Sequence, residues 1–110
     1  MAYDEAIAQR IRDLVAGAPQ LTEKKMFGGL AFLVGGNMAI AASGQGGLMV
    51  RIDPAEAESL TQGDEVSRME MRGRQMDGGL RVGAAVVETG DDLQRWVDIG
   101  TGYARSLPPK

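Results

Sequence analysis

The spacing of apolar residues near the N-terminus predicts an amphipathic helix from about Tyr3 to Ala16. The apolar positions that recur at helical intervals are Ile7, Ile11, Leu14 and Val15. Arg10, Arg12 and Asp13 lie on the other side of the same helix. We expect this helix to cover one face of a sheet, and the alternative is a helix that binds a partner.

The pattern changes to that of strands between Glu23 and Ile52, where β-branched, aromatic and flexible apolar residues predominate. Gly35-Gly36-Asn37 predicts a hairpin, because such turns need positive φ angles. Gly28-Gly29 is expected to interrupt one strand, as a bulge or a close approach of backbones would. A glycine-rich loop then leads to a third strand, Leu48 to Ile52. These signals together predict an antiparallel meander.

The second half of the chain predicts a short helix and two further strands. Asp53-Pro54-Ala55-Glu56 is typical of a helix start, and the helix should reach about Leu60. Alternation from Val66 to Met71 predicts a half-buried strand. Arg72-Gly73-Arg74 is then expected to form a turn, and Leu80 to Val82 a short final strand.

The last predicted element is a helix that opens at Thr89, which can cap it together with Asp92. Its apolar stripe comprises Leu93, Trp96, Val97, Gly100, Tyr103, Ala104 and Leu107. Gly100 and Gly102 lie within this helix and indicate either close packing on another element or a frayed last turn. The order of elements is therefore α-β-β-β-α-β-β-α. It predicts one α+β domain over residues 1–110, with an antiparallel sheet of about five strands and helices packed against it.

Composition excludes several classes of function. The chain has no cysteine and no histidine, so it lacks thiolate chemistry and the commonest general base and metal ligand. No catalytic residue, metal or cofactor is predicted, since no nucleotide-binding or nucleophile motif occurs. The net charge of −3 lacks the basic excess usual in proteins that bind nucleic acid, so direct nucleic-acid binding is not expected. No stretch is long enough to span a membrane, and the acidic N-terminus is unlike a signal peptide. We therefore expect a cytoplasmic protein.

Four blocks of sequence resemble the N-terminal domain of the TfoX/Sxy competence-regulator family in its stand-alone form. They are Lys25-Met26-Phe27-Gly28-Gly29-Leu30 with the hairpin after it, Leu48-Met49-Val50-Arg51, Gly73-Arg74-Gln75-Met76, and Leu93-Gln94-Arg95-Trp96-Val97 with the ending from Ala104 to Lys110. The resemblance implies a two-layer α+β fold and a role in the regulation of transcription and competence. The chain departs from the family at Gln75, where proline is frequent. It also departs at Leu80, where the family tends to carry an aromatic residue, so stacking of a ligand there does not transfer.

Two functions follow from these observations. The first is a non-enzymatic regulatory or protein-interaction module, for which we expect a protein partner, with the transcription machinery as one candidate and a homodimer as another. The alternative is a small-ligand or anion-binding protein, or an enzyme, that uses the Gly28-Gly29 region and nearby basic residues. The candidate partner- or ligand-binding residues are Lys24, Lys25, Gly28, Gly29, Arg51, Arg72, Arg74 and Met76. For Arg51 an ion pair with Asp53 or Glu56 is a further alternative.

Overall fold

The protein is an antiparallel sheet of six strands with helices packed against it, in a computed structural model that describes residues 5–17, 20–26, 29–43, 47–61, 66–71, 74–83 and 90–108. The elements are α1 (Glu5–Val15), β1 (Leu21–Met26), β2 (Gly29–Val34), β3 (Asn37–Ala42), β4 (Leu48–Arg51), a 3₁₀ turn (Pro54–Glu56) that leads into α2 (Ala57–Leu60), β5 (Val66–Met71), β6 (Arg74–Val82) and α3 (Gly90–Ser106). The α+β class predicted from the sequence is confirmed. Among these helices, none has the length and apolarity needed to cross a membrane.

The strands follow the order β1-β2-β3-β4-β6-β5, and each neighbouring pair is antiparallel. The interpretation of Gly28-Gly29 as an interruption within one strand was wrong. Met26 is paired with Gly29 across β1 and β2, so the chain reverses direction between them. One predicted strand is therefore two, and the sheet has six strands rather than about five.

The hairpin predicted from Gly35-Gly36-Asn37 is confirmed, and its turn consists of two residues. Gly35 and Gly36 have φ angles of 60° and 84°, the left-handed conformation that suits the twist of a hairpin. The register of the two strands shifts between Phe32 and Leu33, because Phe32 pairs with Ile40 whereas Leu33 pairs with Met38. Ala39 is thus the extra residue of a bulge, and it packs with Ala104 of α3.

The prediction for the last strand was also wrong in its bounds. Arg74 opens β6 rather than ending a turn, and the strand runs without a break to Val82. Residues 79–82 pair with β4, whereas residues 74–76 pair with β5 alone. The first half of β6 therefore extends beyond the body of the sheet as one arm of a hairpin with β5.

The main core lies between one face of the sheet and the helices α1 and α3. Phe32, Ile40 and Val50 of the central strands are fully buried there. The core residues contributed by the helices are Ile7, Ala8, Ile11, Val15, Leu93, Trp96 and Val97. The stripe predicted for α3 is confirmed at these positions, while Tyr103 is half-buried and buried Thr101 was missed. Leu14 was predicted to face the core, but it is 37% exposed.

Gly100 explains how closely α3 approaches the sheet. A Cβ atom built at this position would lie 2.4 Å from the backbone oxygen of Ala39, which is shorter than any real contact. A Cβ atom at Gly102 would meet nothing within 4 Å. Close packing is therefore the correct alternative for Gly100, and the helix continues past both glycines to Ser106.

The end of α3 is attached to the β2–β3 hairpin. Asn37 is 3% exposed, and its side-chain Nδ2 donates a hydrogen bond of 2.9 Å to the backbone oxygen of Pro108. A buried amide needs such a partner, since leaving it without one costs about 1–3 kcal/mol. The contact fixes the direction in which the chain leaves the helix.

A bidentate salt bridge joins α1 to the edge strand β1. The Nε and Nη2 atoms of Arg12 each donate a hydrogen bond of 2.9 Å to the carboxylate of Glu23. The hydrogen bond from Arg12, reinforced by its charge, lowers the pKa of Glu23 below its ordinary value of 4.5 and outweighs the opposing effect of partial burial. Because the two side chains are 42% and 35% exposed, solvent screens most of the interaction.

We expect Glu23→Gln to lower the free energy of unfolding by about 0.5 kcal/mol near pH 7. The pKa of Glu23 is lowered in the folded state, so this contribution is fully present above pH 4.5 and is lost as the pH falls through the lowered pKa. Urea unfolding of the wild type and the variant at neutral and acidic pH measures it. A double-mutant cycle with Arg12→Gln isolates the pair. A difference that persists in acid would show that the carboxylate charge is not the cause.

Candidate functional site

A second apolar cluster lies on the sheet face that points away from α1 and α3, which we call the reverse face. Ala31, Ala41 and Met49 form its centre, with exposures of 0%, 1% and 8%, and the half-buried Leu33 and Met38 pack against them. These residues belong to β2, β3 and β4, and no residue of the described helices takes part in the cluster. The sheet therefore has an apolar strip on both faces.

The register of the strands places this strip in one row across the sheet. The directly paired residues of the row are Lys24, Ala31, Ala41, Met49, Arg81 and Ser67, taken from β1 through to β5. Side chains that are directly opposite one another in antiparallel strands point to the same side. The whole row therefore faces away from the helix layer, because its neighbouring row contains the core residues Phe32 and Ile40.

Basic side chains frame the apolar strip at both ends. Lys24 is exposed on the edge strand β1, whereas Arg51 and Arg81 are half-buried on β4 and β6. Arg51 pairs with Gly79, which is two residues from Arg81 on the same strand. The two arginines are therefore diagonal neighbours, with Cα atoms about 7 Å apart. Lys24 lies three strands from β4, a separation of about 14 Å.

The structure separates the remaining candidate residues. Lys25 is paired with Leu30, so it points to the helix side and not to the reverse face. Gly29 is the buried first residue of β2, and Gly28 lies outside the described residues. Within the part of the chain that the structure describes, Lys24, Lys25 and Gly29 therefore do not form one site.

The residues proposed at the β5–β6 hairpin lie far from Lys24. Arg74 and Met76 have described backbones, paired with Met71 and Met69, while Arg72 lies outside the described residues. Arg74 precedes Arg81 by seven positions on one strand, which corresponds to about 23 Å. Lys24, Arg51 and Arg74 are thus too far apart to enclose one small anion.

The ion pair considered for Arg51 is not formed. Within residues 47–61 of the structure, no ion pair joins Arg51 to Asp53 or Glu56. Asp53 acts as the predicted cap instead, because its carboxylate accepts a hydrogen bond of 3.0 Å from the backbone N–H of Ala55.

Sequence reasoning missed Arg81 and the apolar strip itself. A signal for Arg81 was present, because it lies between the buried residues Leu80 and Val82 and must point to the opposite face. The sequence contains no comparable signal for the row of residues that crosses the reverse face. Its members come from different strands, and only the register aligns them.

The reverse face combines basic and apolar side chains. Ammonium and guanidinium groups can bind carboxylates and phosphates, and half-buried Leu33 and Met38 leave part of their apolar surface accessible. In the described ranges, no group of three or more histidine, cysteine, aspartate or glutamate residues is placed to hold a metal ion.

Comparison with protein families gives one match that covers most of the chain. The model of the TfoX N-terminal domain matches residues 13–102, which include every strand of the sheet, the last three residues of α1 and most of α3. Neither the curated protein sequences nor the solved structures contain a match. The four sequence blocks and the fold agree with the family match, and the chain therefore belongs to the TfoX N-terminal domain family.

Proposed function

We propose that this domain is a protein-interaction module that acts in regulation, and that its partner is part of the transcription machinery. The observation that carries the proposal is the reverse face, where the half-buried apolar side chains of Leu33 and Met38 share one face of the sheet with Lys24 and Arg51. Partly exposed apolar side chains combined with arginine are typical of protein interfaces. Membership of the TfoX N-terminal domain family supports the regulatory part of the proposal.

Direct binding of nucleic acid is the weaker explanation for the same basic residues. Proteins that bind single strands on a sheet stack the bases on aromatic side chains. The described part of the reverse face carries none, since its large side chains are Leu33, Met38 and Met49. The net charge of −3 would also repel a phosphate backbone at long range.

Cross-linked affinity capture of the tagged protein from its own cells tests the proposal, with and without nuclease. We expect a specific protein to remain bound after nuclease treatment, and its identification by mass spectrometry should place it in transcription. Recovery of nothing above an untagged control would contradict a role as an interaction module. A partner that disappears with nuclease would indicate instead that nucleic acid bridges the two.

A further inference from the structure

We infer that the outward side of α3 binds a second copy of this chain, with the two helices antiparallel and crossing at Gly102. The inference goes beyond the proposed function and does not depend on it, because it concerns self-association and not the transcription partner. It follows from an exposed glycine within the helix and from two opposite charges, Asp98 and Arg105, that flank this glycine.

Gly102 is not required by the packing of the single chain. It is exposed, its backbone is part of the continuous helix, and a Cβ atom built there would meet nothing within 4 Å. Glycine in a helix costs about 1 kcal/mol relative to alanine. The distance between two packed helices depends on the side chains at their contact, and glycine permits the closest approach. The position is therefore suited to contact with another helix.

Asp98, Gly102 and Arg105 lie on one exposed stripe of α3. At about 100° per residue, Asp98 and Arg105 lie about 40° and 60° from Gly102 around the helix, and both lie in the same direction. Along the axis, Asp98 lies about 6 Å before Gly102 and Arg105 about 4.5 Å after it. An acidic and a basic side chain are therefore placed at nearly equal distances on either side of the glycine.

A twofold axis at Gly102 makes this stripe complementary to itself. A rotation that reverses the direction of the helix exchanges its two ends and keeps each side chain on its own side of the contact. Asp98 of one copy then lies beside Arg105 of the other, with an offset of about 1.5 Å along the axis. Symmetry forms the second, identical pair at the same time. One patch of surface thus provides two intermolecular ion pairs.

The two charged side chains are free to form these pairs. Among the described residues, none forms an ion pair or a hydrogen bond with the Arg105 side chain. Oδ1 of Asp98 accepts a hydrogen bond of 2.7 Å from Nε2 of Gln94 in the preceding turn. A carboxylate accepts several hydrogen bonds, so this contact leaves Asp98 able to bind a guanidinium.

The other side of the stripe supplies apolar surface. Ile99 and Tyr103 are half-buried and lie about 60° and 100° from Gly102 in the opposite direction from the charges. The same rotation brings Ile99 of one copy close to Tyr103 of the other, with an offset of about 3 Å along the axis. Because α3 ends at Ser106, the helices overlap over only about 12 Å. We therefore expect a weak dimer.

Asp98→Arg and Arg105→Glu test the arrangement of the charges, because each variant alone places like charges opposite each other in both pairs. Sedimentation equilibrium from micromolar to millimolar concentration should show that the wild type forms a dimer and that each variant raises Kd about tenfold or more. A mixture of the two variants restores opposite charges in both pairs, so it should associate about as tightly as the wild type. Added salt should weaken the wild-type dimer.

Gly102→Leu tests the close approach of the helices. Leucine is a good helix former and its Cβ position is open, so the variant should fold, but its side chain would hold the two helices apart. We expect Kd to rise about tenfold or more. Lys24→Glu is the control, because it changes the net charge as Arg105→Glu does, on the sheet face away from α3. It should leave Kd unchanged, and thermal unfolding confirms that each variant is folded.

Three results would overturn the inference. The first is a wild type that stays monomeric over the whole concentration range, and the second is a mixture of Asp98→Arg and Arg105→Glu that does not associate. The third is a dimer that Gly102→Leu and Arg105→Glu leave intact, which would place the contact on another surface, such as the edge strand β1. None of these results bears on the capture of a transcription partner, which tests the proposed function separately.

Discussion

Replacing Gly100 with alanine should destabilise the protein, although alanine is the better helix former. The new Cβ atom would lie 2.4 Å from the backbone oxygen of Ala39 and 3.2 Å from Val50, so α3 must move away from the sheet. Overpacking of this kind costs about 3 kcal/mol, and the helix preference of alanine returns about 1 kcal/mol. We expect the free energy of unfolding to fall by about 2 kcal/mol and Tm to fall by about 8 °C.

Gly102→Ala is the matched control in the same helix. Nothing lies within 4 Å of the Cβ position at Gly102, so only the helix preference acts, and the variant should be more stable by up to about 1 kcal/mol. Urea and thermal unfolding of the two variants therefore give effects of opposite sign. If Gly100→Ala were as stable as Gly102→Ala, α3 would not be seated on β3 as described.

Phe32→Ala should produce the largest loss of stability among the variants considered. Phe32 is fully buried in a central position of the main core, between β1 and β3 and beneath the helices. Removal of a buried phenylalanine side chain costs about 4 kcal/mol, because the surrounding structure fills the cavity only in part. For a domain of this size, that is a large part of the total free energy of unfolding. Chemical denaturation of the purified variant measures the loss.

Leu33→Ala, one position along the same strand, is the comparison. Leu33 is half-buried on the reverse face, so we expect a cost of about 1 kcal/mol and a variant that remains folded. An equal loss of stability at Phe32 and Leu33 would show that both faces of the sheet are equally enclosed.

The elements with strong local signals could be predicted from the sequence. The helical spacing of Ile7, Ile11 and Val15 and the Gly35-Gly36 turn depend on contacts within a few residues. The α+β class follows from the order of such elements. The boundary between β1 and β2 could not be predicted in the same way, because a glycine pair is compatible with a bulge as well as with a reversal.

Features that depend on strand register or on tertiary distances could not be predicted from the sequence. Leu14 has the right spacing for the core, but the direction from which α1 meets the sheet leaves it 37% exposed. The requirement at Gly100 arises from Ala39, a bulged residue of a distant strand. Lys24 and Lys25 are adjacent in the sequence and lie on opposite faces of the sheet. The register of β1 against β2 determines which of them lies on which face.

The position of α3 in the chain has a consequence for how the protein folds during synthesis. Strands β1 to β4 are consecutive and can pair as soon as they are made, but Leu93, Trp96 and Val97, which cover their apolar face, are made after all six strands. Until the ribosome has released α3, the nascent meander exposes Phe32, Ile40 and Val50 to other chains. The hydrogen bond from Asn37 to Pro108 forms only after that, and it attaches the end of α3 to the β2–β3 hairpin. Chaperones that bind apolar segments should therefore associate with the nascent chain until α3 has emerged.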